Sequence, residues 1–318
     1  MSARRCRKQL CAVLSMACML LFTSHSFADH GNIVVFSSGT TPVYDQVATQ
    51  LKHYLSDQCQ QIIPDCIPHN IYLLSQAADG SSLVIPPKTK LIITLGLRAG
   101  EVMRNMNTGL PILHALISRS SYQKLASDIN HSAIFLDQPI TRQLQLAKII
   151  RHDPHIGLLM SPITQPIRDE LFEEALKQDI PISYRSVDSS EMVGPQLKAV
   201  LEESNILLAL PDPTIFNRTT IFNILLSSYH NKTPVIGFSS AYVKAGALIA
   251  AYSTPEDIAR HLAEYTSNYL NSGTGELPGP FYPKYFSVAV NQSVARSLGI
   301  SLPEETDIIR QMLENSQP

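Results

Sequence analysis

No long like-charge run, low-complexity tract or coiled-coil heptad interrupts these 318 residues, of which 16% are charged and 44% hydrophobic. Disordered and fibrous classes are thereby set aside, and an ordinary globular chain remains. The strings H-E-x-x-H and G-x-S-x-G and the phosphate-binding P-loop are missing too, so hydrolase and nucleotide readings lose their usual support. After one apolar run, Gly96-Leu97-Arg98-Ala99-Gly100 lacks the glycine spacing of a dinucleotide fingerprint. Ser121 and Lys124 form an S-x-x-K string, but neither S-D-N nor K-T-G accompanies it. His152 and His155 flank Asp153 beside a proline, where solvated side chains outweigh a conceivable metal site. No cofactor, metal or catalytic group is expected, and no repeat of solenoid period shows.

Cysteine is scarce: five in all, three of them in the first 18 residues. Arg4, Arg5, Arg7 and Lys8 precede an apolar run over 10–22, and Ser26-Phe27-Ala28 offers the small residues a signal peptidase needs. This reads as a secretory leader cut after Ala28. An anchoring helix is the competing use, but the run falls short of the roughly 20 residues a span requires. Cys18 lies inside the apolar run, with Ser15 where a lipoprotein signal wants a branched apolar residue. Removing the leader takes four basic residues and no acidic one, which moves the formal charge from −2 to −6. A mildly acidic exported protein is a poor nucleic-acid or anionic-membrane binder. It retains only Cys59 and Cys66, for which an oxidising compartment favours a disulfide, worth about 2–3 kcal/mol, over half of a zinc site.

At 318 residues, two cores are expected, because single cores stop growing at roughly 250–300. Apolar β-rich runs at 32–36, 70–74, 91–95, 111–117 and 132–136 precede Asp137-Gln138-Pro139. Beyond it, runs at 156–160, 182–185, 206–210, 234–238 and 247–252 repeat the layout, and 285–290 adds one more. Helical patterns at 42–55, 141–150, 168–177, 195–203 and 292–298 fall between or after them, and another begins at Pro303. Thr254-Pro255-Glu256 starts a long amphipathic helix to 270, with Thr254 as cap and Pro255 at its first position. Such alternation argues mostly parallel sheets in two Rossmann-like α/β lobes, meeting near Asp137.

In open α/β sheets ligands sit beyond the carboxyl ends of the strands. There the sequence places Ser38, Thr40, Tyr44, Ser118, Ser161, Asp212, Phe216, Asn217, Ser239 and Tyr242. Hydroxyls, an aromatic or two and one carboxylate suit a small polar solute, with Asp212 facing an amine. Plainer uses compete: hydroxyls cap helices, Asp212 caps after Pro211, and Phe216 fills core.

Five stretches carry a resemblance. D-Q-P-x-x-R-Q-L (137–144), L-P-D-P-T-x-F-N (210–217), P-V-I-G-F-S-S-A-Y-V-K-A-G-A-L (234–248), Y-S-T-P-E-D-I (252–258) and F-S-V-A-V-N-x-x-V-A-R-S-L-G (286–299), in this order and spacing, resemble one family. It is the ABC-transporter substrate-binding family that includes tryptophan-binding members, with the type I periplasmic binding protein fold. The likeness is strong in the second half and weak before Ile112. It implies two lobes joined by a three-segment hinge, 29–137 with 254–275 and 138–253 with 276–318. By matching position it implies Asp212, Ser239 and Tyr242 as second-lobe ligand contacts and Ser38, Thr40 and Ser118 as first-lobe ones. Where many relatives carry D-P-V after the fourth strand, this chain has Ser118-Arg119-Ser120-Ser121, so specificity is not copied from amino-acid binders and Arg119 points to an acidic ligand. The function implied is a monomeric periplasmic protein delivering a small solute to an inner-membrane ABC permease. An orphan sensory module of the same fold and an exported enzyme are the rivals.

Overall fold

Strand β1 (Asn32–Ser37) is buried along its whole length, as a strand covered on both faces of a parallel sheet must be. The computed structural model describes residues 31–62, 71–75, 83–125 and 130–315. The expected leader and Cys66 lie outside the described residues, and with Cys66 the expected Cys59–Cys66 bond.

β1 is flanked by β2 (Ile71–Ser75) and β3 (Thr89–Leu95), and β4 (Ile112–Ile117) and β5 (His131–Phe135) complete a parallel sheet of order β2-β1-β3-β4-β5. Helix α1 (Pro42–Ile62) covers one face with Val47, Leu51 and Leu55; α2 (Leu97–Met106) covers the other with Ala99 and Met103. Short α3 (Arg119–Leu125) follows β4. The second lobe opens with α4 (Ile140–Ile150) and holds β6 (Ile156–Met160), α5 (Arg168–Lys177), β7 (Ile182–Ser186), α6 (Val193–Glu202), β8 (Ile206–Leu208), α7 (Ile221–His230), β9 (Val235–Gly237), α8 (Ser240–Ala245) and β10 (Ile249–Tyr252). Helix α9 (Pro255–Ser272) then returns to the first lobe, where Ile258, Ala259, Leu262 and Ala263 share the core of α1. Its start carries the expected Thr254 cap, here as a capping box with Thr254 and Asp257 bonding each other's backbone.

β11 (Ser287–Val290) runs antiparallel beside β10 and ends the second sheet, of order β11-β10-β9-β8-β6-β7. After it, α10 (Gln292–Leu298) and α11 (Glu305–Glu314) close the chain, Ile308 and Met312 entering the second core. The two-lobed α/β architecture expected from the sequence is therefore present. β8 and β9 stop two and one residues short of their apolar runs, since Pro211 has no N–H to extend a ladder and Phe238 turns out of the sheet. Before β11 the chain stays with the first sheet longer than the sequence suggested. Leu277 lies in the first core, and Phe281 bridges β5, accepting from Phe135 N at 3.1 Å and donating to Ala133 O at 2.9 Å. This puts the third passage near Tyr282, past the boundary drawn at 275.

The three passages between lobes are tied to one another. Gln138 in the first donates to Ser253 Oγ in the second at 3.0 Å, and Ser253 Oγ donates to Tyr285 O in the third at 2.7 Å. Arg142 on α4 donates to Gln138 Oε1 (2.8 Å), Pro283 O (2.8 Å) and Lys284 O (3.3 Å) and lies 4.1 Å over the Phe286 ring. Burial lowers its pKa to about 10, which still leaves it charged at neutral pH. Arg142→Met should cost about 2–4 kcal/mol in urea unfolding, because it strips a charged donor from several acceptors at once.

His261 on α9 accepts from Lys284 N at 3.1 Å and packs on Phe281 and Tyr285. Burial lowers its pKa from 6.5 to about 4, against the pull of Glu264. An imidazole kept neutral when folded but free to protonate when unfolded favours the folded state above its unfolded pKa, and that advantage is lost as pH falls. The urea midpoint should therefore decline as pH drops from 6.5 towards 4, and the decline should be shallower in His261→Gln.

Candidate functional site

Strand ends from both sheets meet at one recess. Its walls are Leu136, Asp137, Gln138 and Tyr282 from the passages, Arg119 from α3, Ile140 and Gln143 from α4, Ile167 and Leu171 from the start of α5, the run 208–211 at the end of β8 and beyond, and Phe238 after β9. The enclosed part is small, about 40 Å³, room for two or three waters at most.

A bulge in β4 delivers Arg119. The register slips between Ala115 and Ile117, and Leu116 sits at φ 55°, a left-handed conformation that costs a branched side chain and that neighbours must hold in place. Ser118 then opens α3, its Oγ accepting from Ser121 N at 3.1 Å and bonding the Ser120 and Ser121 hydroxyls. Arg119 N donates to Asp137 Oδ2 at 2.7 Å. Its guanidinium crosses to the second lobe, donating from Nη1 to Glu170 Oε2 at 2.5 Å and to Tyr282 Oη at 2.7 Å. Burial opposes that charge, but the hydrogen bond to Glu170 and its neighbours outweigh it and hold the pKa above its ordinary value. Burial pushes the Asp137 carboxyl up, offset in part by the bond from Arg119 N.

Of the eleven residues singled out in the sequence, Arg119 alone lines this recess. Ser38 and Tyr44 meet elsewhere on the first lobe. Ser38 Oγ accepts from Ala99 N at 2.9 Å, and a Cβ on Gly96 would come within 2.6 Å of both Ser38 Oγ and Tyr44 Oη. Gly96, at φ 91°, is thus required for both its backbone angle and this approach. Thr40 is exposed.

In the second lobe the polar candidates serve as braces. Asp212 is 1% exposed; Thr164 Oγ1 (2.9 Å), Ser161 N (3.3 Å) and Thr214 N (3.0 Å) all donate to its carboxylate, stitching the loop after β6 to that after β8. Its neighbours Leu210 and Pro211 form the wall while Asp212 holds them from behind. The expected amine contact at Asp212 is thus replaced by three donors of the chain itself. Ser161 is fully buried and accepts from Ile163 N. Phe216 is core, and Asn217 closes a turn by accepting from Thr219 N and Thr220 N. Ser239 caps α8 through Tyr242 N. Tyr242 donates to Phe216 O at 3.0 Å and stands 4.2 Å behind the Phe238 ring, its pKa raised to about 12 by burial. Sequence reasoning missed Asp137, Gln143, Phe238 and Tyr282; the signal at hand was the position of Asp137 at a junction between lobes, where ligand sites concentrate.

Asp212→Ala leaves three donors facing a void and should destabilise the chain by about 3 kcal/mol in urea unfolding.

No protein-family model matches the sequence, and no curated protein does. Solved structures do match in fold. A ligand-free, open substrate-binding protein with adhesive properties from Clostridium difficile superposes with TM-score 0.66 at 17% identity, covering 86% of this chain and 96% of its own. An ABC domain in complex with L-Trp from Streptococcus pneumonia gives TM-score 0.58 at 17% identity, over 88% and 98% of the two chains. A conserved domain protein from Vibrio cholerae gives 0.58 at 18%, over 88% and 98%. With two sheets flanked by helices and three passages between them, the chain has the type I periplasmic binding protein fold found in ABC solute-binding proteins.

Proposed function

We propose that this chain is an exported solute-binding protein that captures a small molecule between its lobes and presents it to an ABC permease. What carries the reading is convergence: the carboxyl ends of strands from both sheets, and two of the three passages, line one recess. Ligand sites in such sheets lie at those ends, and hinge closure around a ligand is the change a membrane partner reads. The Arg119–Glu170 pair already spans the lobes, so closure has a defined line of contact. In this reading Arg119 forms the first-lobe wall and Ser118 caps the helix that carries it, while Asp212 and Tyr242 support the second from behind. The basic, then apolar, N-terminal stretch supports export from the cytoplasm.

Mass spectrometry of material released from natively purified protein should identify a bound solute. Adding that solute at about one hundred times its Kd should stabilise the fold by about 2.7 kcal/mol. Protein that carries no solute and whose melting is unmoved by amino acids, sugars, amines, organic acids and short peptides would overturn the reading.

A further inference from the structure

We propose that the recess receives the ammonium end of a small aliphatic amine, with Asp137 as its counter-ion. The proposal rests on the solute-capture reading and specifies its chemistry. Among the described residues only two charged ones line the recess, Arg119 and Asp137. Arg119 is already engaged by the Glu170 carboxylate at 2.5 Å and the Tyr282 hydroxyl at 2.7 Å. One guanidinium therefore stands among two carboxylates, and the uncompensated charge is negative. An entering cation restores balance, whereas an entering carboxylate must displace Glu170 or lie against like charge in a partly desolvated site.

Hydrogen bonding points the same way. Gln143 is 7% exposed, and its buried Oε1 has no partner, an acceptor kept from water and left unused. An ammonium carries three donors and no acceptor, which suits Asp137 directly and Gln143 Oε1 once its amide turns toward the recess. Asp137 remains partly open to solvent, so an incoming group can reach it. Leu136, Leu210 and Phe238 supply apolar surface for a methylene stem. Burial raises the Asp137 pKa against the pull of the Arg119 backbone and charge, so a second cation beside it would find a desolvated carboxylate.

Size and charge narrow the class further. A space of about 40 Å³ suits a small head group at this lobe angle. An α-amino acid would carry its own carboxylate beside the ammonium, close to Asp137 and Glu170. The structure thus assigns the recess to amines without a neighbouring carboxylate, the rest of the solute lying in the open cleft.

The test compares butylamine, butanediamine, butanoic acid, an α-amino acid and ribose by thermal shift and calorimetry on the purified protein. The amines should raise the melting temperature and the acid should not. Asp137→Asn should weaken amine binding by about thirtyfold or more. Glu170→Gln, which frees Arg119, should weaken the amines and admit the acid, and it supplies the readout if Asp137→Asn does not fold. Binding of the acid, amino acid or sugar without the amines, or amine affinity unchanged in both variants, overturns the proposal and leaves solute capture standing. Binding of none of them, with no solute carried through purification, overturns both.

Discussion

The relation between the two lobes depends on a knot of polar contacts where the chain passes between them. Each lobe closes its own core around its own sheet, so apolar burial fixes each half internally and says little about their mutual angle. That angle falls to Gln138, Ser253, Arg142 and the carbonyls of residues 283–285. These bonds use side chains and carbonyls at the ends of regular elements, where backbone angles can change without breaking a ladder. A core-to-core interface would resist rotation, because packed interiors deform in steps. A polar knot permits a pivot while keeping the passages in register.

Charge complements that mechanics. Arg119 is placed by a strained bulge on one lobe and bonded to Glu170 on the other, with Tyr282 from a passage as a third partner. The three belong to the two lobes and a passage, so any change in lobe angle is felt at this point. Asp137 sits beside them and is itself held by the backbone of Arg119. A set of coupled charges thus lies where the two halves meet.

Much of the fold was legible in the sequence. The strand at 156–160 and the helices at 168–177 and 292–298 coincide with the observed elements, because uninterrupted apolar runs and sharp polar boundaries leave little choice of period. The site was less legible. Polar residues at strand ends drew attention as ligand contacts, yet Asp212 spends its hydrogen bonds joining two loops, Asn217 spends its own on one turn, and Phe216 spends its ring on core. A side chain's type does not disclose whether its partner is a solute or the neighbouring turn. The recess walls are instead largely apolar neighbours of those residues, Leu210 and Phe238 among them, whose exposure depends on where two sheets converge. The bulge at Leu116 had no local signal, since neither glycine nor asparagine marks it.

The short pairing of Phe281 with β5 has a further consequence. β5 is the last strand of the first sheet, and its outer N–H and C=O groups would offer a template for a strand from another molecule. Phe281 occupies part of that rim with two main-chain bonds, from within the same chain. The segment that links the lobes thereby also guards against stacking of copies into extended aggregates.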